Sequence, residues 1–318
     1  MVQMIHPWNE PLFESLKGRT ERFPHALLIH GARGTGKLAL AEHTAQFLLC
    51  EDLAHRPCGR CEGCRWFAAR SHPDFRRLEP EALAREMAGD PDDAAEAPAK
   101  RAKPSVQIRI EQVRELDGFL NVGSHRGRMR VVLVHPAEDM NPNAANALLK
   151  GLEEPPAGAV FLLVAHRPAQ LLPTIRSRCV ALAVPVPLPA AALRWLAEQG
   201  ARTPERWLAY AGGAPLRAVE YAANAEVLER LLERPMPVDD RDELEALADA
   251  LQKIALDRAL GAMGLAPKYQ TGTIDRDPAK AREWLSFARG MVERRLLSRH
   301  PLNPKLFSAE MLANLPAR

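Results

Sequence analysis

The sequence lacks long apolar runs, holds few aromatic residues and carries little excess charge of either sign. Of its 318 residues 5% are aromatic, and the net charge is +3. Its longest apolar stretches, such as 160–165 and 180–184, fall far short of the roughly 20 residues that a transmembrane helix needs. No basic segment followed by an apolar one suggests a secretion signal. We therefore expect a cytoplasmic globular protein, whose small net charge does not indicate nucleic-acid binding by itself.

Cysteine is also scarce, but its placement is informative. Four of the five cysteines, Cys50, Cys58, Cys61 and Cys64, form a C-x7-C-x2-C-x2-C cluster. In a reducing cytoplasm such clustering favours metal binding over disulfides. Four thiolates suit tetrahedral Zn²⁺, and a site whose four positions are all filled by protein is structural. The sequence predicts a zinc knuckle over about 50–64, with Cys179 apart as an ordinary buried thiol.

The first half of the chain alternates short apolar segments with helix-like segments. Strands separated by helices predict an α/β domain whose parallel sheet is covered on both faces. The sequence predicts strands over 26–30, 129–135 and 160–166, and helices over 38–49 and 143–152.

A glycine-rich turn lies between the first predicted strand and the first of these helices. It reads G-A-R-G-T-G-K and contains Gly31, Gly34, Thr35, Gly36 and Lys37. In this context backbone N–H groups curl around phosphate oxygens, the helix N-terminus adds positive charge and the lysine reaches the β- and γ-phosphates. The pattern predicts a phosphate-binding loop, or P-loop.

The residues that would hold Mg²⁺ for hydrolysis are missing. Leu38 stands where a serine or threonine hydroxyl would bind the metal. After the second strand, His135 occupies the position of an aspartate, and Ala137 lies near that of the catalytic base. Glu138 and Asp139 could be a displaced acidic pair, but exposed acids before a helix are the simpler interpretation. We predict nucleotide or phosphate binding at most, without hydrolysis.

The remaining sequence suggests one insertion and two helical domains. Residues 79–103 are acidic, alanine-rich and poor in β-branched residues, which predicts a mobile insertion, with a solvated helix over part of it as the alternative. A proline-rich connector follows Cys179, and helical periodicity then dominates. The predicted divisions are a core over 1–183, a helical lid over 184–226 and a helical C-terminal domain over 227–318.

Several motifs together resemble the bacterial clamp-loader subunits, AAA+ proteins that load the sliding clamp for DNA polymerase III. They are N-A-L-L-K-G-L-E-E-P-P at 146–156, S-R-C at 177–179, H-P-D at 72–74 and the four-cysteine insertion. With its eroded P-loop, the chain is most similar to the non-motor, stator-like subunit rather than the gamma/tau ATPases. The resemblance implies a RecA-like AAA+ core, a C-terminal collar, gamma/tau and delta subunits as partners, and contact with the clamp and primed DNA through the complex.

The same resemblance assigns expected roles to particular residues. Arg178 matches the arginine finger that enters a neighbouring subunit's ATP site, whereas a surface or helix-cap arginine is the plainer alternative, and Arg176 is the reserve candidate. Arg217 lies near the position of a second nucleotide-sensing arginine, although a solvated helical arginine fits equally well. His166 and Arg167 lie roughly where a polar sensor would be, without a defined role.

Two other functions remain open at this point. One is an active clamp-loader ATPase, which requires that Leu38 and His135 be tolerated. The other is a zinc-dependent DNA-binding module, which predicts salt-sensitive DNA affinity of the isolated chain. The non-motor role makes the chain a component of the DNA polymerase III holoenzyme, a nucleotidyltransferase, rather than an enzyme by itself.

Overall fold

The computed structural model describes residues 5–88, 104–121, 129–272, 275–298 and 302–316. It divides into two compact units, Met1–Val186 and Pro187–Arg318. Within the described ranges, no helix is long and apolar enough to cross a bilayer. The prediction of a separate lid and C-terminal domain concerns the second unit and stays a prediction.

The first unit is built on a parallel sheet. Its described residues form five strands in the order β2-β3-β4-β1-β5. The phosphate loop follows β1, and the neighbouring β4 and β3 end at the same edge, because all pairings are parallel. The strands are β1 Ala26–His30, β2 Phe75–Leu78, β3 Arg130–Val134, β4 Ala159–Ala165 and β5 Val180–Ala183.

The central strands are apolar on both faces because helices cover both faces of the sheet. Every residue of β3 and β4 is buried, as expected for a covered parallel sheet. On one face, the residues of α1 and α2 form one apolar cluster with the sheet; on the other, those of α5 and α6 form a second. The helices of this unit are α1 Glu10–Lys17, α2 Lys37–Leu49, α3 Glu62–Ala68, α4 Glu81–Ala88, α5 Ile110–Asn121, α6 Pro142–Glu153 and α7 Pro173–Arg176.

The segment predicted as a mobile insertion is only partly described. Its first part contains α4, and Glu81 accepts a hydrogen bond from the Ser105 N–H at 3.2 Å. Glu79 pairs with Arg77 at 2.8 Å. Residues 89–103 lie outside the described residues. The part that is described is therefore helical, which is the alternative that the sequence left open.

The second unit is helical throughout its described residues. One apolar cluster involves α8 to α11, and the other involves mainly α12, α13 and α14. The helices are α8 Pro189–Glu198, α9 Pro204–Tyr210, α10 Pro215–Ala223, α11 Ala225–Glu233, α12 Arg241–Ala262, α13 Ala281–Leu297 and α14 Pro304–Ala313.

A buried charge network connects three helices of this unit. Asp249 on α12 accepts hydrogen bonds from Lys253 at 2.6 Å and from the Tyr221 hydroxyl of α10 at 2.9 Å. Arg295 of α13 pairs with its other oxygen at 3.0 Å. Burial alone would raise the pKa of Asp249, but Lys253 and Arg295 hold it below its usual value. Because a buried charge is costly without partners, this network fixes α10, α12 and α13 against each other.

A second buried carboxylate organises the loop after α12. Asp257 is 1% exposed and accepts hydrogen bonds from the backbone N–H groups of Lys268, Tyr269 and Thr271 at 2.8 Å each. The Thr271 hydroxyl donates a fourth at 2.9 Å. Since each part-buried N–H that loses its acceptor costs about 1–3 kcal/mol, we expect Asp257→Ala to lower the free energy of unfolding of this unit by about 2–4 kcal/mol. Denaturant titration, monitored by the circular dichroism of the helices, measures this change in the free energy of unfolding.

The matched control for that substitution is Asp239→Ala. The Asp239 side chain is 79% exposed, and its ion pair with Lys305 spans 3.5 Å. Exposed pairs of this kind contribute about 0–1 kcal/mol. If both variants unfolded at the same denaturant concentration, the four hydrogen bonds of Asp257 would not be what holds the loop.

Candidate functional site

The phosphate loop requires glycine at three positions where the chain is left-handed or crowded. Gly34 and Gly36 have φ of +84° and +81°, a region that other residues rarely adopt. A Cβ on Gly36 would also lie 2.4 Å from His6 Cδ2, and one on Gly31 would lie 2.3 Å from the Val184 carbonyl oxygen. The sequence pattern G-x-x-G-x-G therefore reflects the path of the backbone.

The segment before α1 braces this loop. The carbonyl oxygen of Thr35 accepts hydrogen bonds from the Trp8 indole N–H at 3.0 Å and from Asn9 Nδ2 at 2.9 Å. Thr35 itself donates from its hydroxyl to the Ala32 carbonyl at 3.0 Å. Sequence reasoning missed this brace; the only signal was a tryptophan and an asparagine side by side near the start of a chain with few aromatic residues.

Lys37 is folded back onto the loop. Its side chain is almost fully buried, and Nζ donates to the Ala32 carbonyl oxygen at 2.6 Å. Burial lowers the pKa of Lys37 to about 8; Glu138 opposes this shift and Arg33 adds to it. Lys37 thus begins the first turn of α2 with its ammonium group on the Ala32 carbonyl, close to where phosphate oxygens would lie.

Hydrocarbon and imidazole occupy the two positions at which the sequence predicted missing Mg²⁺ ligands. Leu38 packs against the apolar cluster of α1 and α2. His135, at the end of β3, donates its backbone N–H to the Leu78 carbonyl at 2.9 Å. Burial, with repulsion from Arg77, Lys37 and Arg33, lowers the pKa of His135 to about 3, so the ring is neutral at pH 7. Neither side chain offers the oxygen that Mg²⁺ prefers.

Glu138 differs from the expectation that it is an exposed acid. Its side chain is fully buried, and its carboxylate accepts hydrogen bonds from the His166 N–H at 3.0 and 3.1 Å and from the Arg167 N–H at 3.0 Å. The Arg167 guanidinium lies 3.6 Å away. The prediction of exposure was wrong because the turn after β3 bends under the end of β4, whose free N–H groups need acceptors. Both carboxylate oxygens of Glu138 therefore already accept hydrogen bonds from backbone N–H groups.

The polar residues after β4 lie beside this turn. The His166 ring meets the His135 ring edge-on, with centroids 5.4 Å apart. Burial and the nearby Lys37 lower the pKa of His166 to about 2. The Arg167 guanidinium reaches Asp139 at 3.5 Å. The end of β4 is therefore tied to the end of β3.

Arg178 lies just after α7. Its side chain is 34% exposed and pairs with Glu153 at 2.6 Å. It also donates to the Thr174 carbonyl at 2.9 Å. Arg176, two residues earlier, is exposed. The guanidinium of Arg178 is held by a half-exposed carboxylate at the surface, a partner that another anion could replace.

Arg217 has several partners within the second unit. Its guanidinium donates to the Tyr221 hydroxyl, lies 4.6 Å from the centroid of that ring and pairs with Glu220 at 3.5 Å. It is thus tied to the network of Asp249 through Tyr221. A nucleotide-sensing role for Arg217 stays a prediction.

The four clustered cysteines converge as a metal site requires. Their sulfurs all lie within 4.8 Å of one another, and Sγ of Cys50 and Cys61 are 3.9 Å apart. Sulfurs at about 2.3 Å from a tetrahedral zinc lie about 3.8 Å apart. Three backbone N–H groups, of Cys58, Cys61 and Cys64, each point at a cluster sulfur at 3.3 Å. These residues fit a structural zinc ion.

Cys179 is separate from this cluster. It is half-buried against the apolar cluster of α5 and α6, and burial raises the pKa of its thiol to about 11. It packs as a small apolar side chain.

Comparison with known sequences identifies the family. The profile described as "DNA polymerase III, delta subunit" matches residues 10–187, more than half of the chain. A DNA polymerase III subunit delta′ of Pseudomonas aeruginosa is 46% identical over 219 residues, covering 67% of this chain and 60% of the relative. The chain belongs to the DNA polymerase III delta′ family. The predicted resemblance to clamp-loader subunits is confirmed.

Other relatives agree with this placement in the delta′ family. The Escherichia coli delta′ subunit is 36% identical over 197 residues, 61% of this chain and 53% of the relative. The matches thus span little more than half of the length of these relatives. A DNA polymerase III subunit tau of Salmonella typhimurium is 33% identical over 160 residues, but this covers 21% of that protein.

Solved structures extend the likeness of fold along the chain. A gamma subunit-related protein of DNA polymerase III from Thermotoga maritima superposes with a TM-score of 0.51 and 21% identity, over 95% of this chain and 97% of that one. At this identity the likeness concerns the fold alone. The predicted fold class, a RecA-like parallel-sheet core followed by helical structure, is confirmed.

Proposed function

We propose that this chain is a non-hydrolysing, stator-like subunit of the bacterial DNA polymerase III clamp loader. The observation that carries the proposal is the loss of both Mg²⁺-holding side chains, at Leu38 and His135, beside an intact phosphate loop. ATP hydrolysis on this fold needs the metal to neutralise charge between the β- and γ-phosphates. The chain accordingly acts in the complex without turning over ATP itself.

The proposed partners are the gamma/tau and delta subunits, with the sliding clamp and primed DNA reached through the complex. Membership of the delta′ family and the likeness to a tau subunit support this assignment. The two apolar clusters in the described part of the second unit support a proposed lid, predicted over 184–226, and a proposed collar, predicted over 227–318. The boundary between them lies inside α11, whose Leu228 packs into the first cluster. In this proposal the chain is a component of the DNA polymerase III holoenzyme and has no polymerase activity of its own.

Arg178 is the proposed trans-acting arginine finger. Its guanidinium is half-exposed and rests on the Glu153 carboxylate. Forked N–H donors suit the γ-phosphate oxygens as well as they suit a carboxylate. On assembly, Arg178 would exchange Glu153 for the phosphate of ATP bound to the neighbouring subunit, where it stabilises the charge that develops during transfer.

The four clustered cysteines are proposed to hold one structural zinc ion. Zn²⁺ supplies the energy that keeps a short loop folded when its ligands are held as thiolates. Cys58 already favours the thiolate, because the Arg60 and Cys61 N–H groups lower its pKa to about 6.

Lys37→Ala is the prediction that separates this function from that of an active ATPase. We expect the purified chain to hydrolyse no ATP with Mg²⁺, and a clamp loader reconstituted with Lys37→Ala to keep its DNA-stimulated ATPase rate within about twofold, since other subunits perform the chemistry. In an active P-loop the same substitution removes the group that cradles the β- and γ-phosphates. Steady-state phosphate release measures both rates. Turnover by the isolated chain that disappears in Lys37→Ala would overturn the proposal.

A further inference from the structure

Among the described residues, two cations act at the end of the phosphate loop, and the acid that acts on one of them is held by hydrogen bonds. Arg33 and Lys37 lie on the loop and on α2, and each acts electrostatically on the imidazoles of His135 and His166. Glu138 is the acid that acts on Lys37. An Mg²⁺ ion would meet repulsion there rather than ligands, whereas a polyanion would meet attraction.

Glu138 is unavailable as a metal ligand because its oxygens are already in use. Its carboxylate accepts three hydrogen-bond contacts from the His166 and Arg167 N–H groups, and the Arg167 guanidinium balances its charge. The oxygen ligands that a divalent cation needs are therefore absent from this edge of the sheet, among the residues described.

His135 contributes an unused polar atom. Its side chain is 7% exposed, and its Nδ1 is buried with no hydrogen-bond partner in the described part of the chain. A buried polar atom without a partner costs about 1–3 kcal/mol, so such atoms call for an explanation. The ring is at the end of β3, edge-on to His166 and within the field of Lys37. A ligand in the phosphate loop would supply the missing partner.

We propose that the phosphate loop binds a diphosphate anion, free or as part of a nucleotide, without a divalent cation, and that Lys37 and His135 take the place of the metal. This inference rests on the proposed phosphate-binding role of the loop and deepens it. Lys37 leaves the Ala32 carbonyl for a phosphate oxygen. The neutral His135 imidazole donates or accepts at Nδ1, and the loop N–H groups surround the rest.

The affinity should depend on pH through Lys37. The groups that face it are Glu138 from the turn after β3, Arg33 from the loop, and the neutral rings of His135 and His166. Without ligand the ammonium has a pKa of about 8, and a bound anion stabilises its charged form. Binding is therefore tightest below pH 8 and weakens as pH rises above it, by up to about tenfold per pH unit.

Isothermal titration of the full-length chain with ADP in the presence of EDTA tests this. Between about pH 7 and about pH 9 the terminal phosphate, whose second pKa is about 6, stays fully ionised. We expect binding with EDTA, weaker binding with excess Mg²⁺, and a loss of affinity toward pH 9. Inorganic pyrophosphate at pH 7 is the second arm: equal affinity assigns the site to the diphosphate alone, and tighter ADP binding adds a contact to the nucleoside.

Two substitutions at His135 form a matched pair. His135→Asn keeps a neutral polar side chain and should retain binding within about threefold. His135→Asp places a carboxylate against the anion and should weaken binding in EDTA by at least about tenfold, the effect of 1.4 kcal/mol, with partial recovery on adding Mg²⁺. Absence of ADP and pyrophosphate binding at millimolar concentration, or binding that requires Mg²⁺, would overturn the inference. Neither result bears on Arg178, which is tested by ATPase turnover in the complex.

Discussion

Arg178→Ala should silence the ATP site of the neighbouring subunit in a reconstituted clamp loader while leaving this chain folded. Arginine fingers contribute about 10³–10⁵-fold to turnover in other NTPases, and we expect a loss of that order at the affected site. The total DNA-stimulated rate should fall by at least the share of that site. The ion pair with Glu153 joins two half-exposed side chains, so its loss costs at most about 1 kcal/mol of stability.

Arg176→Ala is the matched control for this experiment. Arg176 is exposed and lies two residues away, at the end of α7. Its replacement by alanine removes the same charge as Arg178→Ala does. It should leave the rate within about twofold, whereas Arg178→Lys should behave nearly as Arg178→Ala, because an ammonium lacks the forked donors. Phosphate release is measured with complexes checked for equal subunit content. Unchanged turnover for Arg178→Ala, or an equal loss for Arg176→Ala, would remove Arg178 as the finger.

Loss of the proposed zinc ion is the second change with a large expected effect. Zinc binding in finger peptides is worth about 10–16 kcal/mol, and residues 50–64 have little apolar surface with which to replace it. We expect Cys58→Ser to lose bound zinc and to open this segment to proteases. Zinc content by mass spectrometry and the rate of limited proteolysis measure the two effects.

Cys179→Ser provides the control for zinc loss. This thiol lies outside the cluster and is half-buried, so its replacement should leave one zinc per chain and the same protease resistance. EDTA treatment of the unmodified chain should reproduce the behaviour of Cys58→Ser. If Cys58→Ser kept a full equivalent of zinc, the four-cysteine assignment would be wrong.

The central part of the sheet was predictable from apolar runs. The predicted strand at 26–30 matches β1, and those at 129–135 and 160–166 contain β3 and most of β4. Strands that are buried on both faces leave a continuous apolar signal, and helices on both sides of the sheet follow from it. The edge strands left no such signal. β2 contains Arg76 and Arg77, and most of β5 is exposed.

The chemistry of the site was predictable where it depends on residue type, and not where it depends on long-range contacts. The identities of Leu38 and His135 are enough to predict that two oxygen ligands for Mg²⁺ are missing. The burial of Glu138 is set by the free N–H groups at the end of β4, 28 residues away. The contact of Glu153 with Arg178 likewise joins the end of α6 to the segment just after α7, 25 residues apart in the sequence. Contacts between residues so far apart in the sequence depend on the fold, and local sequence patterns do not predict them.

If the chain is the non-hydrolysing subunit proposed above, the buried carboxylate of Glu138 limits how it could gain catalysis. Reverting Leu38 to a hydroxyl residue and His135 to aspartate would restore oxygen atoms for a metal, but Glu138 would still be held by the backbone of His166 and Arg167. A water-activating base would then have to be introduced at another position, such as Ala137, whose side chain is fully enclosed. A working motor is therefore at least three coordinated substitutions away, one of which must fit a polar group into a packed core.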